Sequence, residues 1–238
     1  MTINNLVASF KKINRHLSKI LGSLFIIATN SAYGQHEVFH ELAIEKKVIE
    51  NEKWELVGEA NFKHLYNEPA WRRWGVSFAG VRKMKRFSFS GGLNGYYTFN
   101  RSITNFFEMR PWTALQLNIP IVANITLRQK LRYEWRFFYT NEEPTTSENY
   151  GRLRYQIGFD IPIPGKEESS WKIRPFFEWF FIKDPAAFER FSNERDFGLL
   201  AIKRFKNEHD FSFGFTREAY YDLEEREIGY LILVAYSF

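Results

Sequence analysis

No cysteine occurs in the 238 residues. That excludes disulfide staples, thiol catalysis, Cys-type zinc sites and a lipid-modified cysteine. Nor is any stretch apolar for long enough to form a membrane helix, since the run Ile20 to Ala28 is about half the roughly 20 residues a span needs. Metal-ligand spacings, phosphate loops and nucleotide fingerprints are missing too, so the sequence points to no cofactor and no metal. What it does contain is an uncommon combination. Aromatic residues make up 18% of the chain and charged residues 26%, while the mean hydropathy is negative. A single apolar core has little use for both at that density, whereas strands with one apolar and one polar face need both. At this length the chain suits one domain, and barrels reach this size as a single unit.

The basic balance belongs to the amino-terminal segment. Lys11, Lys12, Arg15 and Lys19 precede the apolar run, and Ala32-Tyr33-Gly34 places small residues at −3 and −1 of a cut before Gln35. This is the pattern of a secretory signal peptide over residues 1–34, leaving residues 35–238 as the mature domain. Those 34 residues carry four of the 33 Lys and Arg and no Asp or Glu, so the remainder holds 29 against 28. A net charge of +1 removes the support for a nucleic-acid partner.

The rest reads as strand almost throughout, at 37–47, 53–64, 73–84, 86–99, 104–117, 122–138, 151–162, 171–182, 194–205, 209–220 and 227–238. Most of these exceed the five or six residues of an ordinary strand and match the roughly 9 to 11 that a tilted membrane strand needs. Within "NITLRQKLRYEWRFF", Ile125, Leu127, Leu131, Tyr133, Trp135 and Phe137 share one parity, and Arg128, Lys130, Arg132, Glu134 and Arg136 share the other. Side chains alternate across a strand, so one face is apolar and the other a ladder of charge. A soluble barrel would show the same period with its apolar face inside. Two further features favour the membrane. Trp54, Trp71, Trp74, Trp171 and Trp179 fall near strand ends, as in an aromatic girdle, and tight turns such as "MKR" and "KNE" contrast with longer linkers such as "TNEEPTTSENYG". The expected fold is all-β, an antiparallel up-and-down transmembrane β-barrel of about 10 to 12 strands. The range is needed because a count of eleven conflicts with the even closure of bacterial single-chain barrels. A further strand hidden in 183–193 would resolve the conflict.

On the polar parity, Glu108, Arg110, Arg128, Lys130, Arg132, Glu134, Arg136, Arg152, Arg154, Arg174 and Glu178 are expected to line the lumen. Each of two Arg-Pro pairs has a Glu two or four residues away, Glu108 with Arg110 and Glu178 with Arg174, so these are expected to meet there. Proline lacks the donor a closed ladder uses, so Pro111 and Pro175 are expected at bulges or near a rim. The last strand alternates Tyr230, Ile232, Val234, Tyr236 and Phe238 on one parity, which resembles the carboxy-terminal signal read by the barrel-assembly machinery.

The Glu-x-Arg-Pro-Trp spacing at 108–112, "LRQKLRYEWRF", "GRLRYQIGFDIPI" and "NERDFGLLAIKRF" together resemble the domain of unknown function 2490 family. That resemblance implies an exported bacterial outer-membrane β-barrel, and it carries no catalytic residues. No catalytic residue is assigned from the residues themselves either. Of the histidines after residue 35, His64 alone stands where it could face the outer leaflet, and no serine is fixed beside it. The expected role is therefore passive, as a narrow pore, a small-ligand site or envelope structure. The expected partners are outer-membrane lipid and lipopolysaccharide, the assembly machinery and periplasmic chaperones. The alternatives are a lipid-modifying enzyme of the outer membrane and a soluble periplasmic barrel that binds an apolar ligand.

Overall fold

In a computed structural model, the described residues are 37–66, 68, 70–99, 104–122, 124–140, 147–163, 170–182, 194–222 and 225–238. Eleven strands form them: β1 (Glu37–Glu50), β2 (Trp54–Leu65), β3 (Arg72–Met84), β4 (Phe87–Phe99), β5 (Phe106–Pro120), β6 (Thr126–Thr140), β7 (Ser147–Ile163), β8 (Ser170–Ile182), β9 (Arg195–Arg204), β10 (Asp210–Asp222) and β11 (Glu225–Ser237). Sequence neighbours pair antiparallel, and β1 closes onto β11 to complete a barrel with no free edge. The segment 183–193, where a hidden strand would have made the count even, lies outside the described residues.

The odd count closes because the seam is parallel. An odd number of alternating strands leaves the first and last running the same way, and β1 meets β11 in parallel over nine positions, from Glu37↔Gly229 to Glu45↔Ser237. The seam continues past the last bridge, where the Phe238 N–H donates to the Glu45 carbonyl at 3.1 Å and the Lys47 N–H to the Phe238 carbonyl at 2.8 Å. Even closure is thus a habit of antiparallel seams and does not bind a wall that accepts one parallel pair.

The tight turns carry the expected chemistry. Asn51 accepts backbone N–H bonds from Lys53 and Trp54 at 2.9 and 2.8 Å, an Asx turn between β1 and β2. Positive φ falls at Lys85, Asn124 and Glu208, each in a turn at the same end of the barrel. The Asn124 turn occupies Ile121 to Ile125, which is why β6 begins at Thr126 rather than at 122. The two ends contrast less than expected: β7–β8 (164–169) is as long as β2–β3 (66–71), and β10–β11 (223–224) is as short as β3–β4 (85–86).

Neither proline marks a bulge. Across Pro111 the β5–β6 register is the same before and after, Met109↔Phe137 then Trp112↔Glu134, with the intervening rungs to β6 missing while Pro111 still bridges Leu93 on β4. Pro175 does the same between Gly158↔Phe176 and Ile161↔Ile173, keeping its bridge to Leu199 on β9. Each costs the ladder on one side only, because a residue in an antiparallel sheet directs its donor to a single neighbour. The register does shift elsewhere, between Lys47 and Ile49 in β1.

One parity runs around the wall through Lys63↔Arg73, Asn94↔Arg110, Glu134↔Arg152 and Glu178↔Asp196↔Glu218, and at these positions it is buried and polar. The other is apolar and open, with Phe78 65% and Trp74 56% exposed beside Leu131, Trp135, Phe181 and Phe213. Since the wall is closed, the charged face is the interior.

Candidate functional site

All eleven residues expected in the lumen stand on the inner parity, and most join one network. Glu108 accepts from two guanidinium groups at once, Arg110 at 2.7 and 2.9 Å and Arg136 at 2.6 and 3.0 Å. Glu134 takes Arg132 at 2.8 Å, Arg154 at 3.0 Å and Arg152 through its Nε at 2.8 Å. Glu178 then holds Arg154 at 2.9 Å through both oxygens. Glu108, Glu134 and Arg136 are each 0% exposed. Ions so far from water persist only when paired in good geometry, and Arg supplies it because its fork matches a carboxylate. Aromatic rings support the guanidinium faces: Tyr96 under Arg110 at 4.8 Å, Trp112 under Arg132 at 4.1 Å and Phe180 under Arg154 at 4.9 Å.

Sequence reasoning missed the bridge behind the seam. Lys63 on β2 donates to Glu218 on β10 at 3.0 Å, both nearly buried, and its ammonium also lies 4.4 Å from the Phe39 ring centroid. On β11, which the bridge crosses, the inner parity is small or apolar, with Gly229, Leu231 and Leu233.

Toward the end where β1 begins, the interior turns apolar. Phe39, Leu65 and Trp71 form a buried cluster with Phe106 and Leu231 packed against it, and Phe106 meets Phe138 at 5.8 Å. Trp71, expected in the girdle, is 1% exposed and set edge-on to Phe39 at 5.4 Å. Its backbone is turned inward by bonds to Leu65 and Glu68. Trp54, Trp74, Trp171 and Trp179 stay on the outside.

At the tight-turn end lies a recess of about 550 Å³, lined by charges of both signs. On one wall Arg128, Lys172 and Arg174 converge on a single carboxylate, Asp160, at 3.7, 3.6 and, for the second Arg174 nitrogen, 3.0 Å. Arg174 therefore does not meet Glu178. Four residues along a strand is roughly 13 Å, beyond side-chain reach, so cross-strand partners win. Glu108 and Arg110 do meet, being two residues apart. On the other wall Glu45 and Glu59 stand directly opposite each other in the β1–β2 register. Their hydrogen bonds come from Ser237 Oγ at 2.7 Å and Asn61 Nδ2 at 2.9 Å, with no Lys or Arg within ion-pair distance among the described residues.

On the outer wall, Tyr230, Ile232, Val234, Tyr236 and Phe238 form the β11 surface beside the seam, and Tyr236 hydroxyl lies 2.6 Å from His209 Nδ1. His64 faces His40 across β1–β2 with ring centroids 4.9 Å apart, flanked by Phe62 and, on the His40 side, Tyr66. Among the described residues no three His, Asp or Glu side chains converge to hold a metal, and no helix is long and apolar enough to cross a membrane, which says nothing of strands.

The profile of the family described as Protein of unknown function (DUF2490) matches residues 36–222, the greater part of the barrel. No curated protein and no solved structure matches the chain.

Proposed function

Since the chain belongs to this family, whose description carries no activity, we propose a function from its geometry: an integral β-barrel of a bacterial outer membrane, exported through a cleaved signal peptide and passive in role. One observation carries the reading, the inversion of the wall. A barrel built for water keeps its apolar face inside, yet here the interior holds Glu108, Glu134 and Arg136 while Trp74, Phe78 and Phe213 face outward. An apolar band on the outside is stable against hydrocarbon and a liability in water. Outer-membrane lipid and lipopolysaccharide are then the solvent of that band, and the barrel-assembly machinery and periplasmic chaperones are the partners that deliver it. Between the passive roles, a mid-barrel layer in which Glu108, Glu134 and Arg136 have no exposed surface favours an occluded barrel over an open pore.

Cell fractionation with a heat-shift gel tests the location. The folded protein is expected in the outer-membrane fraction, running at a different mobility before and after boiling. Recovery in an osmotic-shock supernatant sinks the membrane reading. The place to look for a lipid-modifying activity is the His40–His64 pair on the outer wall. The passive reading expects lipid acyl chains to be the same in cells carrying His64→Ala as in the parent.

A further inference from the structure

The recess at the tight-turn end holds two charge imbalances on opposite walls. In the cyclic order of eleven strands, β7 stands diametrically across from the β1–β2 junction. Glu45 and Glu59 thus face the wall made by β6, β7 and β8, which carries Arg128, Asp160, Lys172 and Arg174. Like charges set directly opposite in neighbouring strands repel, so Glu45 and Glu59 lower their energy if a cation sits between them. Across the recess three cations share one carboxylate, which leaves a cationic surplus that an anion would neutralise. No ion pair closes the surplus on either wall, since the bridges of Lys47 and Lys83 go to Glu50 and Glu55 and that of Arg204 to Asp210, while Arg132 acts on Glu59 and Asp210 on Lys172 only from a longer range. The recess between the walls measures about 550 Å³, within the range of small-molecule sites.

We infer that this recess binds a small zwitterion, its ammonium group against Glu45 and Glu59 and its phosphate or carboxylate against Arg128, Lys172 and Arg174. Each half supplies the charge that one wall lacks. A purely anionic ligand would leave the two glutamates repelling, and a purely cationic one would leave the three cations sharing Asp160. The same arrangement gives orientation, because reversing the molecule places like charge against like. The inference rests on the interior of the barrel and not on where the barrel resides.

The full chain, folded in detergent micelles, is titrated by calorimetry with phosphoethanolamine and with 4-aminobutyrate, and separately with their charged halves, ethanolamine, inorganic phosphate and butyrate. Each zwitterion of the favoured class is expected to bind at least about tenfold more tightly than either half. The ratio between the two zwitterions separates a phosphate ligand from a carboxylate one. Glu59→Gln is expected to bring zwitterion affinity down toward that of phosphate alone while leaving phosphate unchanged. Lys172→Gln is expected to weaken phosphate and both zwitterions while leaving ethanolamine unchanged. A heat-shift gel confirms that each variant is folded, and Glu45→Gln replaces Glu59→Gln if that variant is not. Halves that bind as tightly as the whole, folded variants with unaltered affinities, or no binding of any probe to the folded parent would each overturn the inference. Because the titration is done in micelles, its failure is distinct from failure of the fractionation test.

Discussion

Glu108 is the residue on which the mid-barrel network turns, since two buried guanidinium groups depend on it. Glu108→Ala would take from Arg110 and Arg136 the carboxylate that each holds through two hydrogen bonds away from water, at an expected cost of about 3–5 kcal/mol. Removing Arg136 as well deletes part of the stranded charge, so the double variant Glu108→Ala/Arg136→Ala should lose less than the sum of the two singles. Urea midpoints of the folded gel band measure both, and additive losses would mean the pair is not coupled. The Glu108–Arg110 contact was legible in the sequence because residues two apart share a face of one strand. The Lys63–Glu218 bridge was not, since 155 residues separate its ends and only closure of the wall brings them together. The same reason hid the choice of Asp160 by Arg174: spacing along one strand says which face a charge takes, and pairing between strands says whom it meets.

Strands were the most legible element, because each runs ten or more residues and in strands such as β6 apolar and charged residues alternate, so that a one-residue slip would reverse every side chain. Their ends were less so. Asn124 cuts the expected sixth strand short with a turn that its apolar neighbours disguise. Close packing inside the wall adds a constraint that alternation does not reveal. A Cβ on Gly92 would stand 2.4 Å from the Phe78 carbonyl oxygen and 2.9 Å from the Trp112 ring. Gly92→Ala must therefore push β4 off β3, with an expected loss of about 1–3 kcal/mol, whereas Gly80→Ala, with open space around it, should lose far less. Thermal shifts of the two folded variants rank them, and equal shifts would contradict the packing. The seam can be tested at the same scale. Leu42 and Val234 are bridge partners on the outer wall, and the chain has no cysteine of its own to interfere. Leu42→Cys/Val234→Cys should cross-link under mild oxidation, and Leu42→Cys/Tyr230→Cys should not.

For the whole molecule, the filled interior sets the expected electrical behaviour. The parent protein should give no steps of conductance in a planar bilayer. Glu108→Ser, Arg110→Ser, Glu134→Ser and Arg136→Ser together leave net charge unchanged and remove the densest layer, so steps should appear if the layer is what occludes the barrel. Conductance in the parent would overturn the occluded reading. The class of fold was legible from the alternation, and the charged interior from the alternation together with the tryptophan positions and linker lengths. The recess and its opposed walls were not, because they depend on which strand stands across from which, and that follows from the number of strands. Eleven carries one more consequence, for how the chain can be rewired. In the seam register Ser237 lies eight residues along from the level of Glu37, roughly 26 Å up the wall. A short turn cannot join them, and a longer connection would have to run through the occupied interior or across the apolar exterior. A barrel with an even number of staves can be cut at any hairpin and its old ends spliced, giving a circular permutant of the same wall. Here that splice is closed off, and the order of the staves tolerates only one point of opening.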